Sequence, residues 1–377
     1  MLVFGQPAIG EEEISAVNEV MRSKWLGTGP RVKRFQEEFA AYTGGRYASA
    51  TNSCTAALHI CMAAAGVGPG DEVITTAMTF CATANAIMHT GARPVFADCD
   101  PRTANIIPDE IVKKITPRTR AIIPVHFAGR PCDMAAIMAI AKKHKLLVFE
   151  DCAHAIEARI GDRHCGTFGE AGCFSFYVTK NITTVEGGMV VTDDENFAGK
   201  VRILSLHGMS KDAWKRFSDT GYVHYTVSAC GYKYNMTDLA AALGRCQMAK
   251  IDSFYRRRRE IWDRYMGELA DLPLLLPPPA EPGTTHALHL FSPLLDIGRT
   301  KLTRDGLLQE LFAWKIGTGV HYIALNRHPL YQGLGYKDGD FPGAEFISDR
   351  TFSIPLSPAL TDDDVTDVIN ALRAVLG

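Results

Sequence analysis

Three segments of this chain combine side chains that bind anions, cations or carbonyl carbons. The first, residues 51–55 (Thr-Asn-Ser-Cys-Thr), precedes an alanine-rich stretch with helical spacing. Hydroxyls and free backbone N–H groups would meet at the start of that helix, where anions bind readily. An ordinary helix cap has the same sequence, and this segment alone favours the cap.

The second segment is an apolar run, residues 146–149, that leads directly into Glu150 and Asp151, with His154 three residues later. A carboxylate at the end of a buried strand costs free energy unless a cation or a donor meets it. A capping Asp beside a solvated Glu explains this segment about as well as a binding site does.

The third segment places Lys180 just after an aromatic strand pattern and before Glu186-Gly187-Gly188. A partly desolvated lysine has a lowered pKa and becomes a nucleophilic amine, which suits Schiff-base chemistry. Alone, a surface lysine in a loop is the simpler interpretation. Together the three segments supply an anion cradle, a carboxylate and an amine, which match the phosphate, ring nitrogen and aldehyde of pyridoxal phosphate.

The elements around these segments predict an α/β fold. Between residues 46 and 195, short apolar runs alternate with stretches of helical spacing, which is typical of a mostly parallel sheet covered by helices. In such sheets ligands bind beyond the carboxyl ends of the strands. The predicted strands are 72–76, 94–98, 121–125, 146–150, 173–177 and 189–193, and the predicted helices are 56–65, 80–89 and 133–144.

The flanking regions predict two helices before this core, at 11–24 and 30–42, and one long helix at 237–269. Five prolines between residues 272 and 282 interrupt the pattern after it. The remainder indicates a smaller α+β unit with two helices and with strands at 288–295, 319–323 and 351–354. We therefore expect a large domain, residues 1–250, and a small C-terminal domain, residues 251–377.

The order and spacing of several motifs resemble the DegT/DnrJ/EryC1/StrS family of pyridoxal phosphate sugar aminotransferases. The resemblance implies a type I aminotransferase fold, with a mostly parallel mixed sheet in the large domain. Residues 180–183, 231–238 and 317–322 look most like the branch that makes UDP-4-amino-4-deoxy-L-arabinose. The family motifs lie at residues 25–30, 52–58, 70–74, 79–80, 150–155, 174–176, 180 and 186–188.

This resemblance implies roles for the cofactor-binding residues. Lys180 would hold the cofactor's aldehyde and later move the substrate proton, and Asp151 would pair with the ring nitrogen. His154 would lie near the phenolic oxygen, and Phe80 would stack on the ring.

The phosphate would be held by Cys54, Thr55 and Ser175, with Asn235 reaching it from the neighbouring subunit of a homodimer. Many family members have glycine in place of Cys54, a change that a backbone N–H contact tolerates. Many also have arginine in place of Asn235, so the partner of the donor's carboxylate stays open.

For the substrate, the resemblance implies contacts from His321, Tyr322 and His328. Trp25 and His207 are further candidates, although a core tryptophan and a helix-end histidine explain them equally well. We expect no metal ligands in this chain.

The implied reaction is transfer of an amino group from L-glutamate to a nucleotide-linked 4-keto sugar, with UDP-4-keto-pentose favoured. A UDP-, dTDP- or GDP-linked 4-keto-6-deoxyhexose is the alternative substrate. A non-catalytic pyridoxal phosphate-binding regulator is the alternative of another class, and a family dehydratase is disfavoured because it has histidine in place of Lys180. The product would be an amino sugar for lipopolysaccharide or another polysaccharide.

Composition limits the partners. The 377 residues include 40 Lys+Arg and 42 Asp+Glu, a formal charge of −2, which argues against bulk electrostatic binding to nucleic acid or membrane surfaces. We recognise no secretory signal and no apolar run of about 18 residues, and expect a cytoplasmic protein. The ten cysteines contain no CxxC pair, which predicts neither a zinc site nor a disulfide framework. Residues 256–259, four arginines, are expected on a solvated, salt-bridged helix face.

Overall fold

The computed structural model describes residues 1–209 and 225–377. Helices and strands alternate through the first half of the chain, as the hydrophobic pattern predicts. The helices there are α1 (Glu11–Ser23), α2 (Pro30–Thr43), α3 (Cys54–Ala64), α4 (Cys81–His89), α5 (Pro108–Lys114), α6 (Met134–His144) and α7 (Glu195–Ser205).

Seven strands form the central sheet in the order β1-β9-β8-β5-β4-β2-β3. β9 runs antiparallel to both of its neighbours, whereas the other neighbouring pairs are parallel, so the sheet is mixed and mostly parallel. Its strands are β1 (Tyr47–Thr51), β2 (Glu72–Thr76), β3 (Arg93–Ala97), β4 (Thr119–Ile123), β5 (Leu147–Cys152), β8 (Ala171–Ser175) and β9 (Gly188–Thr192).

The remaining elements are short strands and C-terminal helices. β6 (Arg159–Ile160) pairs with both β7 (Arg163–His164) and β11 (Thr284–Thr285), while β10 (Leu274–Leu275) pairs with β12 (Leu294–Leu295). The helices are α8 (Asp238–Ala249), α9 (Ile251–Glu268), α10 (Arg304–Ala313), α11 (Pro329–Gln332), α12 (Pro342–Ser348) and α13 (Asp362–Leu376).

One hydrophobic cluster draws all its buried residues from position 261 onward, including Tyr265, Phe291 and Phe352. Another joins residues 77–128 to residues 290–347, so the C-terminal part also packs against the sheet region. The domain boundary at residues 250/251 stays a prediction.

The long helix predicted at 237–269 is wrong, because α8 ends at Ala249 and α9 begins at Ile251. Lys250 lies between them, and its ammonium binds Glu12 and Glu13 of α1. No glycine or proline marks this break, and the contact with α1 is remote in sequence. The hydrophobic periodicity alone therefore predicts one continuous helix.

Two other expectations need correction. The stretch Tyr47–Thr51 has few β-branched residues and its pattern predicts no strand, yet it forms β1 by pairing with β9. Of the strand predicted at 288–295, only Leu294–Leu295 forms a strand. The strands predicted at 319–323 and 351–354 are reduced to isolated bridges, such as the one between Gly319 and Ser353.

All ten cysteines are free thiols, and seven of them are buried. Within the described ranges, no helix has both the length and the apolar character needed to cross a bilayer.

Candidate active site

A cavity of about 390 Å³ lies where the carboxyl ends of β2, β5 and β8 meet the N-terminus of α3. Its position follows from the fold, because parallel strands deliver their following residues to one edge of the sheet. Nine residues singled out from the sequence line it: Cys54, Thr55, Phe80, Asp151, His154, Ser175, Lys180, His321 and Tyr322.

The N-terminus of α3 forms one wall. Ser53 caps the helix by accepting a hydrogen bond from the backbone N–H of Ala56 at 3.1 Å. The N–H groups of Cys54 and Thr55, in the first turn, have no acceptor within the helix and are available to an anion. Gly188 lets β9 pass directly behind this turn, since a Cβ there would lie 2.5 Å from the carbonyl of Ser53.

The thiol of Cys54 does not take part in anion binding. Its Sγ donates to the carbonyl oxygen of Cys173 at 3.5 Å, and burial raises its pKa well above the usual value. Cys54 therefore remains a thiol and offers the cavity its backbone N–H.

Asp151, at the end of β5, provides a buried carboxylate. It accepts hydrogen bonds from the hydroxyl of Thr83 at 2.8 Å and from the N–H of Ala153 at 3.0 Å. Burial raises the pKa of Asp151, while these two donors and the charge of Lys180 oppose the rise. A cationic group in the cavity would stabilise the ionised carboxylate further.

Lys180 lies in the same cavity. The surrounding protein atoms withdraw its ammonium from water and lower its pKa to about 8, although Cys54 and Asp151 favour the charged form. Close to that pH a substantial fraction of Lys180 is the neutral amine, the form that attacks carbonyl carbons.

His154 is neutral and held at both ring nitrogens. Nδ1 accepts from the backbone N–H of Ala128 at 3.2 Å, so the proton lies on Nε2, which donates to the hydroxyl of Tyr322 at 3.2 Å. Burial lowers the pKa of His154 well below its usual value, and the charge of Lys180 adds to this effect.

Aromatic rings close the cavity on the opposite side. Phe80 is 55% exposed, and its ring centroid lies 5.6 Å from that of Tyr322. His321 contacts Ser353 Oγ through Nδ1 at 2.8 Å, and burial lowers its pKa to about 4.

Four residues singled out from the sequence do not line this cavity: Asn235, Trp25, His207 and His328. Asn235 donates through Nδ2 to Thr28 Oγ1 at 2.7 Å, and its buried Oδ1 has no partner among the described residues. Trp25 is 45% exposed and donates to the carbonyl of Thr28, and His207 lies at the surface. His328 packs near Tyr331, with 6.4 Å between the ring centroids.

Several cavity residues were given no role in the sequence analysis, although residues 79 and 186 lie in the family motifs. They include Thr79, Thr83, Tyr177, Glu186 and His289. Thr83 lies four residues after Thr79 across the start of α4, and the two hydroxyls are 2.9 Å apart. His289 stands inside an apolar strand-like run, where nothing in the sequence separates it from a core histidine.

Glu150 is fully buried, so the solvated alternative for this residue is wrong. Its carboxylate accepts from the backbone N–H groups of Gly166, Phe168 and Gly169 and lies 3.1 Å from Nε2 of His126. His126, Glu150 and Cys152 bring metal-ligand atom types within 4.8 Å of one another. Since Glu150 is already satisfied by backbone donors, we interpret the cluster as a hydrogen-bonded support for the end of β5.

The cavity fits pyridoxal phosphate on three counts. The first turn of α3 has free N–H donors for a phosphate, as the close approach at Gly188 allows. Asp151 is a buried carboxylate whose raised pKa would fall beside a cationic ring nitrogen. Lys180 supplies an amine with a pKa of about 8.

The sequence of this chain is similar to those of known proteins. Residues 7–373 match the DegT/DnrJ/EryC1/StrS aminotransferase family. The chain is 49% identical to the spore coat polysaccharide biosynthesis protein SpsC of Bacillus subtilis, over 100% of this chain and 97% of that protein.

Two solved structures have the same fold. The aminotransferase TlmJ of Streptoalloteichus hindustanus is 36% identical, with a TM-score of 0.90 over 99% of this chain and 98% of that one. The PMP form of Spr1654 of Streptococcus pneumoniae, described as a putative sugar aminotransferase, is 31% identical, with a TM-score of 0.93 over 100% and 99%. Spr1654 has also been solved in a PLP form. The chain thus belongs to the DegT/DnrJ/EryC1/StrS aminotransferase family, and it is a pyridoxal phosphate-dependent sugar aminotransferase.

Proposed function

We propose that this enzyme transfers the amino group of L-glutamate to the 4-keto carbon of a nucleotide-linked sugar. The transfer is a ping-pong cycle, in which 2-oxoglutarate leaves before the keto sugar binds. The observation that carries the proposal is the meeting of Lys180, Asp151 and the first turn of α3 in one cavity of about 390 Å³. That cavity also has His321 and Tyr322 on its wall, where a second substrate can bind.

Pyridoxal phosphate, when bound, supplies an aldehyde that carries the amino group and a ring that takes up electrons. Lys180 binds the aldehyde as a neutral amine, which its pKa of about 8 makes available. Nζ of Lys180, when not bound to the cofactor, would be the base that accepts a proton from the substrate carbon and returns it.

The other residues orient the cofactor. Asp151 would keep the ring nitrogen protonated, because a neighbouring carboxylate favours the charged form of that nitrogen. Backbone N–H groups of Cys54 and Thr55, with the hydroxyl of Ser175, hold the phosphate. Phe80 would stack on the ring. The Nε2–H of His154, which donates to Tyr322 in this structure, would donate to the phenolic oxygen instead when the cofactor is bound.

His321 and Tyr322 contact the sugar. Trp25, His207 and His328 lie outside the cavity, so any contact they make is with the nucleotide part of a substrate that extends beyond it.

The favoured substrate is UDP-4-keto-pentose, on the likeness of residues 180–183, 231–238 and 317–322 to the arabinose branch. A 4-keto-6-deoxyhexose differs by one methyl group, which a pocket discriminates by roughly 1 to 3 kcal/mol. The name of SpsC assigns that relative to spore coat polysaccharide biosynthesis, which supports a polysaccharide precursor as the product here.

We further propose that the active form is a cytoplasmic homodimer. In this arrangement Asn235 serves the cavity of the partner subunit, where its Nδ2, which donates to Thr28 within the single chain, would donate to the phosphate. Sedimentation of the purified enzyme tests the dimer, and an Asn235→Ala variant that stays dimeric but binds cofactor more weakly would support the shared site.

A panel of keto sugars tests the function. UDP-4-keto-pentose and the UDP-, dTDP- and GDP-linked 4-keto-6-deoxyhexoses are each assayed with glutamate, by mass spectrometry of the amino sugar. We expect the pentose to give the highest kcat/KM. Equal rates across the panel would contradict the pentose preference, and no product from any sugar would contradict the proposed reaction.

A further inference from the structure

His289 lies in the active-site cavity beside His154, although no step of the proposed reaction uses it. The two ring centroids are 4.5 Å apart. The backbone N–H of His289 donates to the carbonyl of Ala128 at 3.0 Å, and the N–H of Ala128 donates to His154. The main chain thus fixes the position of His289 independently of its side chain.

A buried polar chain extends from His289 away from the cavity. Its Nδ1 lies 2.8 Å from Oδ1 of Asn181, the residue that follows Lys180. Nδ2 of Asn181 donates to Glu157 Oε2 at 2.6 Å and to the carbonyl of Ala287 at 3.0 Å. Glu157 in turn pairs with the buried guanidinium of Arg258.

This chain determines which nitrogen of His289 carries the proton. The carboxylate of Glu157, charge-paired with Arg258, and the carbonyl of Ala287 can only accept, so the amide nitrogen of Asn181 must face them. Its Oδ1 therefore faces His289, and because an amide oxygen only accepts, Nδ1 of His289 must be the donor. The remaining nitrogen, Nε2, is unprotonated and keeps a free lone pair.

The surroundings also keep this imidazole neutral. Burial lowers the pKa of His289 well below its usual value, and the nearby charge of Lys180 adds to the effect. A neutral imidazole with a fixed lone pair at Nε2 accepts hydrogen bonds from O–H and N–H groups and repels carboxylate oxygens. Of the two substrates, the keto sugar presents several hydroxyl groups, whereas glutamate presents two carboxylates and one amino group, which it gives to the cofactor.

We propose that His289 is a substrate-binding residue for the keto sugar, with Nε2 accepting a hydrogen bond from a sugar hydroxyl and Asn181 positioning the ring. This inference rests on the proposed transfer from glutamate to a keto sugar. It assigns to the sugar a contact that glutamate does not share.

The test compares wild-type enzyme with His289→Phe, which keeps a flat ring without an acceptor, and His289→Gln, which restores an acceptor. The two half-reactions are followed separately, through loss of the cofactor's visible band with glutamate and its return with UDP-4-keto-pentose. We expect His289→Phe to raise the KM for the keto sugar about 10- to 100-fold, with the glutamate half-reaction within about twofold of wild type. His289→Gln should recover part of the loss, and His144→Phe, outside the cavity, should behave as wild type.

Equal loss in both half-reactions, or an unchanged KM in both His289 variants, would overturn the assignment. A wild-type enzyme that reacts with glutamate but with no keto sugar would instead contradict the proposed function. In that case ¹⁵N NMR of the histidine rings, with UDP-xylose as the probe, still tests whether His289 binds the sugar. A protonated Nδ1, with an Nε2 signal that moves on addition of UDP-xylose, supports the role of His289, and a proton on Nε2 or an unmoved signal contradicts it.

Discussion

The hydroxyl of Thr83 donates to Oδ2 of Asp151 at 2.8 Å and, because its proton is engaged there, accepts from Thr79 at 2.9 Å. This bond opposes the rise in the pKa of Asp151 that burial causes. We therefore expect Thr83→Val to raise that pKa further and to lower kcat about 10- to 100-fold, as for a lost hydrogen bond to a charged group.

Thr83→Ser is the matched control, since it keeps the hydroxyl, and it should stay within about threefold of wild type. Steady-state kinetics with glutamate and the best keto sugar provide the measurement. A Thr83→Val enzyme with wild-type kcat would show that Asp151 does not depend on this donor.

Cofactor uptake should depend on pH through Lys180. The pKa of this residue is lowered to about 8, so the protonated and unreactive form dominates below that pH and the neutral amine above it. The rate at which cofactor-free enzyme gains its visible band should rise with pH and level off above about 8, in stopped-flow traces from pH 6 to pH 10. A rate that still climbs steeply at pH 10 would indicate a lysine with an ordinary pKa.

Gly129 should be intolerant of a side chain. Its φ is +96°, and a Cβ would lie 2.8 Å from both the Cβ of Ala287 and the carbonyl oxygen of His154. Strain and overlap together predict that Gly129→Ala lowers the free energy of unfolding by about 2 to 4 kcal/mol. Urea denaturation measures this change.

Gly199, inside α7, is the control because a Cβ there meets no atom within 4 Å. Gly199→Ala should be neutral or stabilise the protein by up to about 1 kcal/mol. Equal effects of the two substitutions would refute the steric explanation for Gly129.

The buried pair of Arg258 and Glu157 should be costly to break. Their side chains are only 1% and 6% exposed, so removing one partner leaves the other charge buried and unpaired. Arg258→Met and Glu157→Gln should each lower the free energy of unfolding by about 3 to 5 kcal/mol.

The exposed pair of Arg373 and Asp271, at 44% and 66% exposure, gives the comparison. Arg373→Met should cost at most about 1 kcal/mol. Denaturant unfolding of the three variants measures these changes. A similar loss of unfolding free energy in Arg258→Met and Arg373→Met would contradict the special role of burial.

Local patterns were enough to predict the α/β class and the three segments that form the cavity, whereas Phe80, Ser175, His321 and Tyr322 came from the family resemblance. Strand ends and helix starts follow from short-range periodicity, and a parallel sheet brings such ends to one edge. That is why the sequence alone predicts Lys180, Asp151 and the start of α3 at one site.

The rest depends on contacts between distant parts of the chain. Arg258 was expected on a solvated face, yet Glu157, far away in sequence, makes it a buried residue. His289 and Thr83 reach the cavity only through the packing of their elements, and no spacing rule marks them. Asn235 was expected at the phosphate and lies outside the cavity of its own chain, so its predicted role depends on a second subunit.

The most direct test of the central claim locates the lysine that holds the cofactor. Borohydride fixes pyridoxal phosphate to that lysine in the loaded enzyme, and peptide mass spectrometry then identifies the modified residue. The label should fall on Lys180 alone, and Lys180→Ala should lose both the visible band and the turnover of keto sugar. A label on another lysine, or full activity in Lys180→Ala, would contradict the assignment.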